Sequence, residues 1–366
     1  MVGRTVACAL LRTRESQSMR PEVTVLSQRY EIGSTIAQGA EGQLIDAVKK
    51  STSGHPAAQR QHVVIKKRFI ACLEAAEGCN RERIALEKLG VHDNVVNLIE
   101  HARTERWQFF VLERMACDLY HVITAGQCCG ISEAQTRLVM RDVASGMRYL
   151  HANRFTHNDI KPENILISYE ADHVTVKQAK LTDFGFCIHH SETDMLINMG
   201  HGTAQYMAPE VRLCCQSSQN PRPMYDAAAA DVYSLGATLF VALVGRFVPL
   251  HVAKLETQMY ALPLSAEIRK LTLQMLSNKP ADRPTIWAVR LSTGQEVEYS
   301  LQGMFGGSEE AEVAQEEDEL WQEDKQEDED QELAIITSSS HRKASDAKDV
   351  PCPSPVFDRE ASPVAK

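Results

Sequence analysis

The hydrophobic pattern of the chain changes near Asp118, and this change constrains the fold more than any other feature. Between Tyr30 and Met115, short β-branched and apolar runs such as QHVVIKKRFI and RWQFFVLERM alternate with turn residues, which is typical of strands. One helical stretch, EGCNRERIALEKLG, interrupts them, and Gly90 marks its end. After Asp118 the pattern becomes helical. This order predicts an α+β chain with a strand-rich lobe followed by a larger, mainly helical lobe.

The second half opens with a strong helix signal. Ser132 and Gln135 have the spacing of a capping box, and four apolar residues then follow on one helical face, at Val139, Val143, Met147 and Leu150. The longest apolar run, over 232–244, is interrupted by Tyr, Ser and Thr. A membrane span needs roughly 20 apolar residues, so this run predicts a buried helix.

Both ends of the chain differ in composition from its centre. Residues 308–334 contain 14 Asp and Glu residues and one Lys, and a Ser- and Pro-rich segment follows them. A stretch so charged cannot bury a core and is expected to be disordered. We therefore predict a disordered leader over 1–28, in preference to an organelle transit peptide, and a tail over 292–366. The folded domain is expected over 29–291, with lobes at about 29–115 and 116–291.

Charge and cysteine content limit the compartment and the partners. The acidic stretch contributes −13 to the net charge of −10, which leaves the rest of the chain at +3. This near-neutral balance indicates neither a nucleic-acid footprint nor an acidic enzyme surface. Because the longest apolar run is also too short for a membrane span, we expect no nucleic-acid and no membrane partner. The ten cysteines form no Cys-x-x-Cys pair, which favours a reduced location, cytoplasmic or alternatively nuclear. The acidic tail could bind a basic partner, contact the folded domain, or simply remain solvated.

The stretch RFTHNDIKPENILIS places Asp159, Lys161 and Asn164 around a proline between two apolar segments. A carboxylate can accept a hydroxyl proton, a lysine can neutralise a moving phosphoryl group, and an amide oxygen can bind Mg²⁺. The combination therefore indicates phosphoryl transfer. A plain Asp-initiated turn before Pro162 is the alternative.

Three further motifs suit the same chemistry. In KLTDFG, Asp183 follows a strand-like segment and could be a second metal ligand, or the start of an ordinary Asp-x-Gly turn. Lys66 ends the apolar run of VVIKKR, and Glu82 in the next helix could form an ion pair with it. In IAQGAEGQLIDA, Gly39 and Gly42 could let backbone N–H groups approach phosphate, although a simple hairpin turn has the same pattern.

The order of these motifs, from the glycine loop through Lys66, Glu82, His-x-Asp and Asp-Phe-Gly to Ala-Pro-Glu, resembles that of the eukaryotic protein kinases. The resemblance covers about residues 30–290. It implies a bilobal kinase fold with ATP and Mg²⁺ bound between a small β-rich lobe with one helix and a larger helical lobe.

The resemblance also implies a nucleotide site. Gly39 and Gly42 match the second and third glycines of the family's phosphate-covering loop, but Ala37 replaces the first, and Glu41 replaces the aromatic residue at its tip. The remaining matches are Leu44 and Val64 above the adenine, Leu166 below it, Leu112 as gatekeeper, and the backbone of Glu113 and Met115 as its hydrogen-bonding partners.

The catalytic residues follow from the same resemblance. Lys66 matches the lysine that contacts the α- and β-phosphates, and Glu82 matches its partner. Asp159 corresponds to the catalytic base, while Asn164 and Asp183 correspond to the magnesium ligands. Lys161 with Thr203 in GTAQYMAPE is typical of the serine/threonine class. Structural roles are implied for three residues, namely Glu210 and Arg283 as an ion pair and Asp231 as a brace of the catalytic loop.

The resemblance implies an enzyme that transfers the γ-phosphoryl group of Mg-ATP to serine or threonine hydroxyls of protein substrates. The departures at Ala37 and Glu41 keep open an alternative, a pseudokinase that binds nucleotide or partners without efficient catalysis. The five matches at Lys66, Glu82, Asp159, Asn164 and Asp183 favour the enzyme, because a chain without catalysis need not keep them all.

Asn158 occupies a position where many relatives have an arginine that pairs with a phosphate on the activation loop. An uncharged amide cannot form that ion pair. We therefore predict that the Ser191→Ala/Thr193→Ala variant and phosphatase-treated wild-type protein both keep most of their activity. Initial rates of phosphate transfer from labelled ATP would measure this, and loss of most activity in both samples would contradict it.

Overall fold

The computed structural model describes residues 24–39, 42–50, 60–70, 72–125, 130–172, 175–191, 195–249 and 252–291. Residues 292–366, which include the acidic segment, lie outside the described residues. The disorder expected in most of the leader and in the tail therefore concerns residues outside this description, as do Glu41 and Thr193.

The first lobe is a five-stranded antiparallel sheet in the order β1-β2-β3-β5-β4. Its strands are β1 (Tyr30–Gly39), β2 (Gly42–Lys49), β3 (His62–Phe69), β4 (Leu98–Arg103) and β5 (Trp107–Glu113). Helix α2 (Leu73–Leu89) lies between β3 and β4 in the chain and begins four residues before the helical stretch read from the sequence. The strand-rich lobe with one long helix is thus confirmed.

The side chains of β3 separate into two sets because successive residues of a strand point to opposite faces of the sheet. Val63 and Ile65 are fully buried in a small core beneath the sheet, whereas Val64 and Lys66 point to the other face. Leu26 of helix α1 (Thr24–Ser27) is also buried in that core. The leader boundary expected at residue 28 is therefore too late, because apolar burial ties α1 to the sheet.

The second lobe is mainly helical. It contains α3 (Leu119–Ala125), α4 (Glu133–Ala152), α5 (Pro209–Gln216), α6 (Ala227–Val244), α7 (Val252–Tyr260) and α8 (Ala266–Met275). Seven short strands accompany them, namely β6 (Cys117–Asp118), β7 (Phe155–Thr156), β8 (Ile165–Tyr169), β9 (Val176–Leu181), β10 (Ile188–His189), β11 (Leu196–Ile197) and β12 (Tyr225–Asp226).

The two central helices of this lobe begin and pack as their sequences predict. The Ser132 hydroxyl accepts a hydrogen bond from the Gln135 N–H at the start of α4, and the four apolar residues of its predicted face are completely buried. Helix α6 is capped by the Asp226 carboxylate and ends at Gly245. It is the one helix, among the described residues, long and apolar enough to cross a membrane, yet 83% of it is buried inside the protein.

The hairpin of β8 and β9 brings two polar residues to one end of the lobe. A short 3-10 helix, Pro162–Asn164, leads into β8, and Asp183 follows β9 after two residues. The register pairs Ile165 with Leu181, and the Thr182 N–H donates to the carbonyl of Asn164 at 3.0 Å. The antiparallel pairing therefore holds Asn164 and Asp183 side by side, although 19 positions separate them in the chain.

Candidate active site

An ion cluster joins the sheet, helix α2 and the segment after β9. The ammonium of Lys66 lies 2.7 Å from Oε1 of Glu82 and 2.9 Å from Oδ1 of Asp183. Glu82 is buried, whereas the Asp183 side chain keeps 30% of its surface exposed. The three residues that the sequence placed at the phosphate end of the cleft are therefore in direct contact.

The cluster shifts the pKa values of Asp183 and Lys66 toward the charged forms. Burial alone favours the neutral forms of Asp183 and Lys66, but the opposite charges around each of them together outweigh it, because the two groups lie within hydrogen-bond distance of each other and Glu82 also attracts Lys66. The pKa of Asp183 is thus held well below its usual range, with a further contribution from Arg68, and the pKa of Lys66 is raised. Asp183 is consequently a carboxylate at neutral pH, as a metal ligand must be.

Asp159 is fixed by partners on both sides. Its Oδ1 accepts a hydrogen bond from the Thr203 hydroxyl at 2.8 Å, and its Oδ2 lies 2.8 Å from the Lys161 ammonium. Lys161 also donates to the Thr203 oxygen at 2.7 Å, which closes a triangle. The Asn164 amide nitrogen donates to Oδ2 at 3.0 Å and to the Asp159 carbonyl at 2.8 Å. Lys161 and Asn164, which follow Asp159 closely in the sequence, therefore both contact its carboxylate.

The backbone that carries Asp159 is braced by Asp231 of helix α6. The Asp231 carboxylate accepts hydrogen bonds from the N–H groups of His157 and Asn158, both at 2.8 Å, and its Oδ2 lies 3.1 Å from Nε2 of His151. The Asp159 N–H donates to His157 Nδ1, so Nε2 carries the ring proton and donates to the Thr182 carbonyl at 3.0 Å. The predicted bracing role of Asp231 is confirmed.

The donor atoms of Asn164 and Asp183 fit a magnesium ion. Because the Asn164 nitrogen donates both of its hydrogen bonds to Asp159, the amide oxygen remains as the acceptor for a cation. Asp183 contributes a charged carboxylate from the adjacent chain segment. No group of three or more His, Cys, Asp or Glu side chains in the described part of the chain could hold a metal ion. Mg²⁺ ordinarily takes one or two protein ligands together with waters and substrate phosphates, which suits this pair.

The β1–β2 hairpin carries the predicted phosphate loop. Gly39 pairs with Gly42, and Ala37 pairs with Leu44. A Cβ atom on Gly42 would lie 2.0 Å from the Lys67 carbonyl oxygen, so only glycine fits there, whereas Gly39 has open space around it. Ala37 and Gly39 are exposed. Gly42 is thus required by packing against β3, and Gly39 is the glycine free to approach a ligand.

The predicted residues above the adenine, Leu44 and Val64, and the predicted gatekeeper, Leu112, lie on three adjacent strands of the sheet. Leu44 pairs with Lys66, and Val64 pairs with Leu112, so these side chains share one face of the sheet. Leu166 of β8 lies in the other lobe, partly buried, and pairs with Lys180. Leu112 and Met115 are buried at the connection between the lobes.

The linker residue Glu113 has a structural partner that the sequence did not reveal. Its carboxylate oxygen Oε1 lies 2.8 Å from the Lys180 ammonium and accepts the Asn97 N–H at 2.7 Å. The side chain is therefore occupied by contacts within the protein. The Glu113 N–H also donates to the Asn97 carbonyl at 3.2 Å, and the Met115 carbonyl accepts a hydrogen bond from the Arg114 guanidinium. The contact of this backbone with a base, which the family pattern implies, stays a prediction.

Asn158 has a role that its lack of charge concealed. Its backbone is in the left-handed region, with φ of 63°, which asparagine adopts more readily than most residues. Its amide nitrogen donates to the Thr156 carbonyl, the Thr156 hydroxyl and the Phe186 carbonyl, at 3.2, 3.1 and 3.0 Å. Asn158 therefore links the catalytic loop directly to the segment after Asp183. The one feature of the sequence that could have indicated this role is the preference of asparagine for backbone conformations with positive φ.

The far end of the activation segment is anchored as predicted. Arg283 binds both carboxylate oxygens of Glu210, at 2.5 and 2.8 Å. Gly202, next to Thr203, has φ of 110°, and a Cβ atom there would lie 2.6 Å from the Asn158 carbonyl oxygen. The absence of a side chain at Gly202 thus allows the segment to approach the catalytic loop.

A comparison with protein families agrees with this geometry. The model of the protein kinase domain matches residues 30–292. The chain belongs to the protein kinase family. This confirms the family resemblance drawn from the motifs and the bilobal α+β fold that it implied.

The named relatives are kinases at moderate identity. CBL-interacting protein kinase 28 of Oryza sativa subsp. japonica is 30% identical over 286 residues, covering 74% of this chain and 60% of the relative. CBL-interacting protein kinase 26 of the same plant is 31% identical and is covered to 52%. The human phosphorylase b kinase gamma catalytic chain, liver/testis isoform, is 30% identical over 221 residues, covering 60% of this chain and 51% of the relative. The chain thus spans 51–60% of the length of these relatives.

The two contributions of Asn158 can be separated by substitution. Asn158→Gly removes the three hydrogen bonds but keeps access to positive φ, whereas Asn158→Ala removes both. We expect unfolding free energies lower than wild type by about 1 kcal/mol for the glycine variant and about 2 kcal/mol for the alanine variant. Urea unfolding would measure both values. A glycine variant less stable than the alanine variant would contradict the assignment of the strained backbone to this residue.

Proposed function

We propose that the protein is an ATP-dependent serine/threonine protein kinase that transfers the γ-phosphoryl group of Mg-ATP to hydroxyls of protein substrates. The observation that carries the proposal is the Asp159 carboxylate, held by Lys161, Thr203 and Asn164 beside the ion cluster of Lys66 and Asp183. The relatives named as protein kinases and phosphorylase kinase support it.

Each residue has a defined task in the transfer. The oxygen of the substrate hydroxyl forms a bond to the γ-phosphorus as the bond to the β–γ bridging oxygen breaks, so that ADP leaves. Asp159 orients the hydroxyl and receives its proton, and Lys161 neutralises charge on the transferred group. Lys66 would contact the α- and β-phosphates. Mg²⁺, when bound by Asn164 and Asp183, offsets the negative charge of the phosphates.

The preference for serine and threonine rests on the triangle of Asp159, Lys161 and Thr203. Lys161 and Thr203 each lie 2.8 Å from an oxygen of the carboxylate that would receive the proton, and 2.7 Å from each other. This pair of residue types at these positions is the family pattern of the serine/threonine class.

The proposal predicts the effects of two substitutions. Asp159→Asn removes the proton acceptor but keeps the size and shape of the side chain. We therefore expect kcat to fall at least 100-fold, with little change in the affinity for ATP. Lys66→Met should lower kcat as strongly. Initial rates with radiolabelled ATP and a mixed serine/threonine peptide library, alongside nucleotide binding by calorimetry, would measure this. Equal labelling by wild type and Asp159→Asn would contradict the proposal.

The second candidate, a pseudokinase scaffold, is favoured by one observation. Ala37 stands in place of the first loop glycine and is exposed on β1, so that part of the phosphate cover has departed from the family pattern. The same experiment separates the two functions. Nucleotide binding without transfer by the wild type would support the scaffold, whereas transfer that disappears in Asp159→Asn would support the enzyme.

We propose, in addition, that the partners are protein substrates and not nucleic acids or membranes, and that the location is cytoplasmic or nuclear. The acidic tail could bind a basic protein or the kinase domain itself. Truncation after Gly307 with rates measured at two salt concentrations would test autoinhibition: relief that is larger at low salt would support it, because salt screens charge attraction. Unchanged rates at both salt concentrations would contradict it.

A further inference from the structure

Glu82 is bound by two cations and not by one. Lys66 contacts its Oε1 at 2.7 Å, and Nη1 of Arg68 contacts its Oε2 at 3.1 Å. In the sequence KKR, strand alternation places Lys66 and Arg68 on the same face of β3, about 7 Å apart along the strand. Both side chains can therefore reach the same carboxylate. Lys67, between them, points to the opposite face, where its ammonium lies 3.7 Å from the Trp107 ring centre.

The Arg68 guanidinium lies between helix α2 and the Asp-Phe-Gly segment, and Gly185 leaves space for it. A Cβ atom on Gly185 would lie 3.0 Å from Nη1 of Arg68, and one on Gly78 would lie 4.0 Å from Nη2. Gly78 is one helical turn before Glu82, on the same side of α2. Arg81 of the same helix donates to the Gly185 carbonyl at 3.0 Å. Arg68 thus lies against both helix α2 and the Asp-Phe-Gly segment.

The charges around Glu82 explain why a second cation, Arg68, is needed. Glu82 is 1% exposed, and a buried carboxylate without a partner is strongly unfavourable. Lys66 has a second anionic partner in Asp183, and in the proposed reaction it would also contact phosphate oxygens. Arg68 is only 10% exposed and stays on the other oxygen of Glu82. Glu82 therefore keeps a positive partner whichever anion Lys66 contacts.

We propose that Arg68 is a positioning residue that holds Glu82, and with it helix α2, in the arrangement shown here independently of Lys66. The inference rests on the proposed kinase function for its catalytic consequence, but its structural part does not depend on activity. It also gives a physical reason why an activation-loop phosphate is not needed to hold this arrangement, because the anchor is part of the folded lobe.

The proposal is tested on the full-length chain with Arg68→Met, Arg68→Lys, Lys66→Met and the double variant Lys66→Met/Arg68→Met. Amide hydrogen exchange of the peptides covering 73–89 is measured without nucleotide, and kcat and KM for ATP are measured separately. Arg68→Met should raise exchange in α2 at least tenfold and lower kcat about tenfold, with KM for ATP within twofold of wild type. Arg68→Lys should restore most of both values, because it keeps the charge.

Lys66→Met should abolish turnover but leave exchange in α2 near the wild-type value, since Arg68 still binds Glu82. The double variant should lose protection beyond the sum of the single changes.

Arg83→Met is the matched control, because Arg83 lies on α2 but pairs with Glu87 at the surface. Exchange in Arg68→Met equal to that control would overturn the inference, as would loss of protection in Lys66→Met alone. If Arg68→Met does not fold, Arg68→Gln is compared with Arg68→Lys by the same criteria. An inactive wild type with these exchange results intact would contradict only the kinase function.

Discussion

The buried carboxylate of Asp231 fixes the geometry on which the rest of the site depends. It accepts the N–H groups of two successive residues immediately before Asp159, and a third hydrogen bond joins it to His151 of α4. Helix α6, which carries it, is almost entirely buried and cannot shift without disturbing the core. The catalytic loop therefore has the rigidity of the helical core although it is not itself helical, and its left-handed residue, Asn158, is held in place by the same contacts.

The two lobes meet through charge and not only through the linker. Lys66 and Glu82 belong to the first lobe, and Asp183 follows the β8–β9 hairpin of the second. Two basic residues of the first lobe, Lys66 and Arg68, face two acidic residues, so the cluster is neutral before any nucleotide is present. Mutual pairing offsets part of the cost of removing these four ionisable side chains from water, and loss of one partner would leave another charge buried without compensation.

Most of the architecture and the principal site residues could be predicted from the sequence. Period and capping signals marked α4 at Ser132, and motif order identified Lys66, Glu82, Asp159, Asn164 and Asp183, because each of these has a residue type that its chemistry requires. Arg68, Lys180 and the contacts of Asn158 could not be predicted in this way. Their importance comes from partners distant in the chain, and a basic residue on a strand looks the same in sequence whether it is solvated or buried. The burial of Leu26 escaped prediction because the apolar stretch VTVL that contains it is too short to establish a period.

The two contacts of the Glu113 carboxylate affect how a nucleotide base would be recognised between the lobes. Its carboxylate is turned inward to Lys180 and to the Asn97 N–H, so the side chain is committed to joining the linker to β9. Any hydrogen bond from residue 113 to a base would then have to come from its main chain and not from its side chain. Discrimination among purines would consequently depend on the spacing of the main-chain groups and on the width of the apolar space between the lobes. A substitution at position 113 would alter the stiffness of the linker between the lobes but would leave its main-chain hydrogen-bonding groups unchanged.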